Sequence, residues 1–248
     1  MDTGKRLFCF GCGYSALVLA KRLAARGFAV AGTCRTEEKA ARLREEGIET
    51  FVFGDDAPLA DAGAALRGTT HLLISAAPGE KGDPVLAAHR DSLMKVAPEI
   101  EWAGYLSTTG VYGDRQGEWV TEETPLDAAV MRSDRRATAE RDWQELARAS
   151  GLPLHIFRLA GIYGPGRNQL KAVKDGTAKR IVKEGQIFSR IHVDDIAKVL
   201  EASMARPNPG AVYNVCDDEP APAPVPIAYA ADLLGVEPPP EVPFEEAE

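Results

Sequence analysis

The sequence predicts an α/β fold built on a doubly wound parallel sheet, and three observations carry that expectation. Short apolar runs alternate with helical patterns from residue 6 to residue 159, leaving little room for hairpins. The first run, Arg6-Leu-Phe-Cys-Phe10, passes at once into Gly11-Cys12-Gly13-Tyr14-Ser15-Ala16 and a helical pattern. With 248 residues, 45% of them hydrophobic, the chain can bury one sizeable core.

The glycine turn sets the chemistry. Gly11 permits the tight turn, Gly13 lets backbone approach a pyrophosphate, and Ala16 permits close packing of helix on strand. Tyr14 and Ser15 then open a helix whose free N–H groups meet the phosphates. The reading is therefore a Rossmann-type sheet with a nucleotide at the carboxyl ends of its strands. The first helix runs over Ser15 to Arg26 and Gly27 ends it; Phe28 to Cys34 is the second strand. Thr36-Glu-Glu-Lys39 opens a helix with an acidic first turn, stopped by Gly47. Ile48 to Phe53, His71 to Ala77, Trp102 to Ser107 and Leu152 to Leu159 read as further strands. Helices are expected around Asp61 to Leu66, over Asp83 to Val96 and over Ser133 to Ser150. Residues 1–165 form the expected NAD(P)-binding domain. Residues 166–248 form a small C-terminal substrate lobe, with residues around 191–204 returning to the core.

Charge and cysteine usage narrow the function. The net charge of -8 argues against a nucleic-acid surface. An acid at position 2 and an apolar run that soon ends in glycines read as neither secretory signal nor membrane span, so the expectation is a cytoplasmic protein. Cys9 and Cys12 are spaced C-x-x-C, yet they fall inside the first strand and between the glycines, and no second pair completes a zinc site. Small buried residues explain them, and no metal is expected. Gly166 to Arg190 holds seven cations against Asp175 and Glu184, either a solvated helix face or a surface that meets an anionic substrate. Prolines at 220–226 and 238–243 read as an extended or mobile tail.

The cofactor type is set at the end of strand two, where NAD-preferring turns place an acid for the adenosine ribose. Arg35 stands there instead; it pairs with a 2′-phosphate and stacks on adenine, favouring NADP, with NAD open if Glu37 or Glu38 serves. Asp55 is either a partner for the adenine amino group or a turn residue. Ser75, Ala76 and Ala77 at the end of strand four, and Gly161 after strand six, are expected to face the cofactor.

Three more segments join the glycine turn: Leu106-Ser-Thr-Thr-Gly-Val-Tyr-Gly113, Arg158-Leu-Ala-Gly-Ile-Tyr-Gly-Pro-Gly166 and Ile191-His-Val-Asp-Asp-Ile-Ala197. Together they resemble the NAD-dependent epimerase/dehydratase family, the extended branch of the short-chain dehydrogenase/reductase superfamily, over about residues 6 to 235. Tyr213-Asn214-Val215 is similar to that family's late strand, and the short segment that follows implies a substrate lobe that is reduced or cut short. The resemblance places Thr108 at the family's Ser/Thr position, with its hydroxyl available to a substrate carbonyl. Aligning Glu140 on a recurrent family acid puts Arg136 at the lysine position, from which it could hold cofactor ribose, and Arg132 at the tyrosine position. No tyrosine of the chain is followed by lysine four residues on. The usual Tyr-x-x-x-Lys pair is missing, a pattern similar to the superfamily's atypical members.

An arginine stays protonated, so Arg132 cannot exchange the proton that accompanies hydride transfer, although it or Arg136 could polarise a carbonyl. Tyr112 and Tyr163 near strand ends, and His192, are the other candidates, each with an ordinary packing role beside it; His192 precedes Asp194-Asp195, which look like a helix cap. Two functions stay open: an atypical NADP(H)-binding oxidoreductase acting on a carbonyl or alcohol of a small molecule, anionic or nucleotide-sugar in type, or a catalytically silent NADP(H) redox sensor. A monomer or homodimer is expected, without nucleic acid or membrane partners.

Overall fold

The computed structural model describes residues 4–54, 57–127 and 131–247. Asp55 lies outside the described residues, as does the side chain of Arg132. Seven parallel strands form one sheet: β1 (Arg6–Phe10), β2 (Ala29–Cys34), β3 (Glu49–Val52), β4 (His71–Ile74), β5 (Trp102–Thr108), β6 (Leu154–Leu159) and, as numbered along the chain, β10 (Val212–Val215). Their order is β10-β6-β5-β4-β1-β2-β3. The chain reverses direction across the sheet between β1 and β4, which opens a crevice at their carboxyl ends.

Side-chain alternation divides the core into two layers. Leu7 and Cys9 of β1 face one layer with α1 (Tyr14–Ala25), α2 (Glu37–Glu45) and α7 (Val193–Ala205). Phe8 and Phe10 face the other with α3 (Ala62–Leu66), α4 (Pro84–Val96) and α5 (Met131–Ser150). All four side chains are fully buried, each such burial contributing about 1.5–3 kcal/mol. Both faces being covered explains why the strands read as apolar runs without alternation.

Caps fix the helix starts. Thr36 accepts a hydrogen bond from the Lys39 N–H at 3.3 Å, with Glu37 and Glu38 in the first turn of α2. One Asp83 oxygen accepts from the N–H groups of Val85 and Leu86 at 2.9 and 3.0 Å, while the other accepts from Trp143 Nε1 at 2.9 Å and ties α4 to α5. At α7 the expected cap moves by two residues: His192 Nδ1 accepts from the Asp194 N–H at 3.2 Å, and Asp194 and Asp195 occupy the first turn.

The remaining elements are β7 (Gly161–Tyr163), α6 (Gln169–Lys174), β8 (Arg180–Val182), β9 (Arg190–His192), α8 (Pro224–Leu234) and β11 (Glu241–Pro243). β7 pairs with β9, β8 with β11, and α6 packs on α8. The end of the chain includes the extended strand β11, and the earlier proline segment opens a helix, α8. Pro224 sits at the start of α8, where a missing N–H costs no helix bond, and Arg180 holds β11 through the Pro239 carbonyl and Glu241. Among the described residues no helix is long and apolar enough to cross a membrane.

Two buried histidines make stability pH-dependent. His155, fully buried, donates from Nδ1 to the Ala103 carbonyl at 3.1 Å and accepts at Nε2 from the Asn208 N–H at 2.9 Å, an arrangement only the neutral ring satisfies. His89 accepts from the Leu59 N–H, and burial holds both imidazoles below their usual range. The unfolded chain then binds protons first as pH falls below about 6.5, so stability declines from there until the lowered folded values are passed. Thermal melts from pH 7.5 to 5.5 are expected to show this decline, shallower in His155→Gln; equal slopes in both proteins would refute the assignment.

Candidate functional site

The crevice is built by the turn from β1 to α1 pressed against β2 and β4. Gly11 has φ +90°, and a Cβ on it would lie 2.9 Å from the Ala76 nitrogen. The Gly11 N–H donates to Thr33 Oγ1 at 2.8 Å, the Cys12 N–H to the Thr33 carbonyl at 2.7 Å, and the N–H groups of Ser75 and Ala76 to the Phe10 carbonyl at 2.8 and 2.9 Å. Gly13 differs: a Cβ on it would meet no atom closer than the Gly11 oxygen at 3.9 Å, so the space it leaves belongs to the cleft. Gly13 caps α1 without any side-chain cap bond, and the first turn holds no acid. Ser15 and Ala16 are buried against the sheet. The result is a cleft of about 390 Å³ over a helix N-terminus, lined by the glycine turn, Thr33 to Thr36, Lys39, Phe53 and Ser75 to Ala77. These residues fit the adenosine and phosphate half of a dinucleotide.

Charge at the β2 end is one-sided. Arg35 and Lys39 line the cleft, and neither has an ion-pair partner among the described residues. Glu37 is drawn to Arg44, and Glu38 to Arg42 at 2.5 Å, both pairs lying along α2. Sequence reading missed Lys39, which lies in the first turn of α2, just after the Thr36 cap.

The thiols pack rather than react. Cys9 and Cys12 touch each other, and a Cβ on Gly32 would lie 2.3 Å from Cys12 Sγ. The contact with Cys12, together with burial, holds the Cys9 thiol well above its usual range.

At the ends of β5 and β6 a buried polar network replaces the missing tyrosine pair. Ser107 donates to Glu140 at 2.5 Å, Glu140 takes a forked pair of bonds from Arg158, and Arg158 Nη1 donates to the Tyr112 phenol at 2.7 Å. That phenol donates in turn to Asn214 Oδ1 at 2.7 Å and is 2% exposed. The Tyr112 phenol is thus engaged on both sides, by Arg158 and by Asn214. Thr108 comes directly after Ser107, half-exposed, its Oγ1 accepting from the Gly110 N–H at 3.1 Å while its own hydrogen stays available. Arg136 donates to the Leu106 carbonyl at 2.9 Å and to the Tyr105 phenol at 3.2 Å, so α5 is anchored on β5 through the side chain at the lysine position.

Tyr163 stands apart from this cluster. Its phenol donates to Asp217 at 2.8 Å in a second cleft of about 530 Å³, beside Asp195, Asn214 and Cys216. Burial, and then the Asp217 bond, push that phenol up, away from easy proton exchange. His192 lies edge-on to Tyr163, with its Nδ1 used as the α7 cap. Gly161 opens β7, its N–H donating to the Ser189 carbonyl at 3.1 Å. Three of the seven cations of the basic stretch have ion-pair partners among the described residues: Lys171 with Asp175, Arg180 with Glu241, and Lys183 with Asp114 at 3.7 Å.

Fold and crevice together define a doubly wound α/β protein of the Rossmann type with its cleft at the switch point of the sheet. The profile of the NAD dependent epimerase/dehydratase family matches residues 11–216, and the chain belongs to that family. It is 29% identical over 244 residues to Protein YeeZ of Escherichia coli K12, covering 95% of this chain and 86% of that one. A functionally unknown conserved protein from Silicibacter pomeroyi has a solved structure that superposes with a TM-score of 0.90 at 51% identity, covering 98% of this chain and 83% of that chain. A dTDP-glucose 4,6-dehydratase from Bacillus anthracis, solved in complex with NAD, shares the fold with a TM-score of 0.76 at 17% identity, over 96% of this chain and 84% of the other.

Proposed function

We propose that this chain is an atypical NADP(H)-dependent oxidoreductase of the epimerase/dehydratase family, acting on a carbonyl or alcohol of a small, anionic or nucleotide-sugar type molecule. The observation that carries the cofactor choice is Arg35 and Lys39 at the β2 end, without ion-pair partners among the described residues, with Glu37 and Glu38 turned to α2 arginines. A 2′-phosphate placed there meets two cations and a helix N-terminus, whereas a bare ribose would find no unpaired carboxylate at the start of α2 among the described residues.

Bound NADPH would supply hydride to a carbonyl carbon and leave as NADP+, while the alkoxide formed would take its proton from solvent water. Thr108 would offer its hydroxyl to the carbonyl oxygen, and Arg136, held by Leu106 and Tyr105, would add positive charge and hold cofactor ribose. Gly11, Gly13, Tyr14, Ser15 and Ala16 form the phosphate turn, with Ser75 to Ala77 and Gly161 as the facing walls. In this reading residues 1–165 carry the cofactor and residues 166–248 the substrate, in a cytoplasmic monomer or homodimer. The commitment of Tyr112 to Arg158 and Asn214 favours a second reading, a silent redox sensor. Reduced and oxidised cofactor would then change conformation or partner binding without turnover.

Titration of NADPH and NADH by nucleotide fluorescence tests the cofactor choice. Arg35→Ala and Lys39→Ala are each expected to weaken NADPH about tenfold and leave NADH unchanged. Wild-type protein that binds NADH as tightly as NADPH would overturn it. Cofactor oxidation that depends on an added carbonyl compound, and fails in Thr108→Val, would separate the enzyme from the sensor.

A further inference from the structure

Resting on that dinucleotide reading, we propose that Arg167 is a pyrophosphate-binding residue that closes the cofactor site from the C-terminal side of the chain. Arg167 belongs to the basic stretch, and its contact with the start of α1 sets it apart there. Among the described residues it has no carboxylate within ion-pairing distance, and its guanidinium lies 6.0 Å over the ring of Tyr14, the first residue of α1.

Its placement is built by the turn that carries it. Gly164 and Arg167 exchange backbone hydrogen bonds at 2.9 and 3.0 Å, and the Asn168 side chain donates to the Gly164 carbonyl at 2.8 Å. The Tyr14 phenol donates to the Pro165 carbonyl at 2.9 Å, fastening that turn to the start of α1. The approach is tight: a Cβ on Gly164, whose φ is +152°, would fall 2.6 Å from the Tyr14 oxygen and 2.7 Å from Val193. A segment 151 residues distant in sequence is thereby locked against the glycine turn.

The electrostatics of this arrangement suit an anion. The N-terminus of α1 carries about half a positive charge, has no acid in its first turn and no side-chain cap. The exposed guanidinium of Arg167, held over Tyr14, adds a second positive group at that terminus. A pyrophosphate seated on the free N–H groups would lie between the two positive partners and satisfy both. Arg35 and Lys39 then hold one end of the dinucleotide and Arg167 its middle.

The two roles separate by ligand. Binding of NADPH, NADH and adenosine 2′-monophosphate, which has no pyrophosphate, is measured by calorimetry for wild type, Arg167→Ala, Arg167→Lys and Arg35→Ala. Arg167→Ala is expected to weaken NADPH and NADH alike, about tenfold, to leave the 2′-monophosphate unchanged, and to reduce the salt dependence of NADPH binding. Arg167→Lys recovers part of the loss, and Arg35→Ala gives the reverse pattern, sparing only NADH. Wild-type NADPH affinity in Arg167→Ala, or an equal loss of the 2′-monophosphate, overturns the assignment while leaving the cofactor reading intact. Wild-type protein that binds none of the three overturns both.

Discussion

Gly13→Val is expected to lower NADPH affinity more than 100-fold, about 2.7 kcal/mol or more, while the melting temperature stays near that of the parent. The backbone at Gly13, φ −87° and ψ −165°, is extended and open to any residue, and an added Cβ meets no protein atom within 3.9 Å. The new side chain therefore fills the cleft where a pyrophosphate would touch backbone. Gly11→Ala is the contrasting variant. Its φ of +90° and the Ala76 nitrogen 2.9 Å from the added Cβ predict strain of about 1–3 kcal/mol and a lowered melting temperature. Thermal melts and NADPH titration on both variants check this. Parent-like affinity in Gly13→Val would remove the glycine turn as the phosphate site.

The second large effect concerns stability. Glu140→Gln is expected to cost about 3–5 kcal/mol, because it strands the Arg158 guanidinium in the core. The two side chains are 2% and 6% exposed and joined at 2.8 Å, too far from water for solvent to replace the lost partner. At this chain length that is a fall of roughly 6–20 °C in melting temperature. Replacing both, as Glu140→Leu with Arg158→Met, is expected to recover most of the loss, since the cost of breaking a buried pair is largely the remaining charge. A cost below about 1 kcal/mol for Glu140→Gln in denaturant unfolding would show that the pair is screened. The network also fixes the turn after β5, so Thr108 depends on residues that never reach the cleft.

Much of the fold could be read from local pattern. The six strands from Arg6 to Leu159 and the helices between them lie within a few residues of the expected bounds, because strands covered on both faces must be continuously apolar. Errors gathered at ends. The fourth strand stops at Ile74 rather than Ala77, since the N–H groups of Ser75 and Ala76 turn back to Phe10. The cap of α7 fell on His192, whose ring nitrogen competes with the carboxylates just after it. The proline-rich end became α8 and β11 because Arg180 and β8 supply partners that no local pattern reveals.

The site divides in the same way. The sequence by itself determined the sheet, the glycine turn, the missing Tyr-x-x-x-Lys pair and the arginine at the end of β2, since each depends on residue type at fixed spacing along one segment. Only the tertiary structure decided which side chains are free. It bound Glu37 and Glu38 to α2 arginines, left Lys39 in the cleft, enclosed Tyr112 between Arg158 and Asn214, and brought Arg167 over Tyr14. Hydrogen bonds and ion pairs form between groups far apart in sequence, so whether a charge or a phenol is available is settled by its neighbours in space.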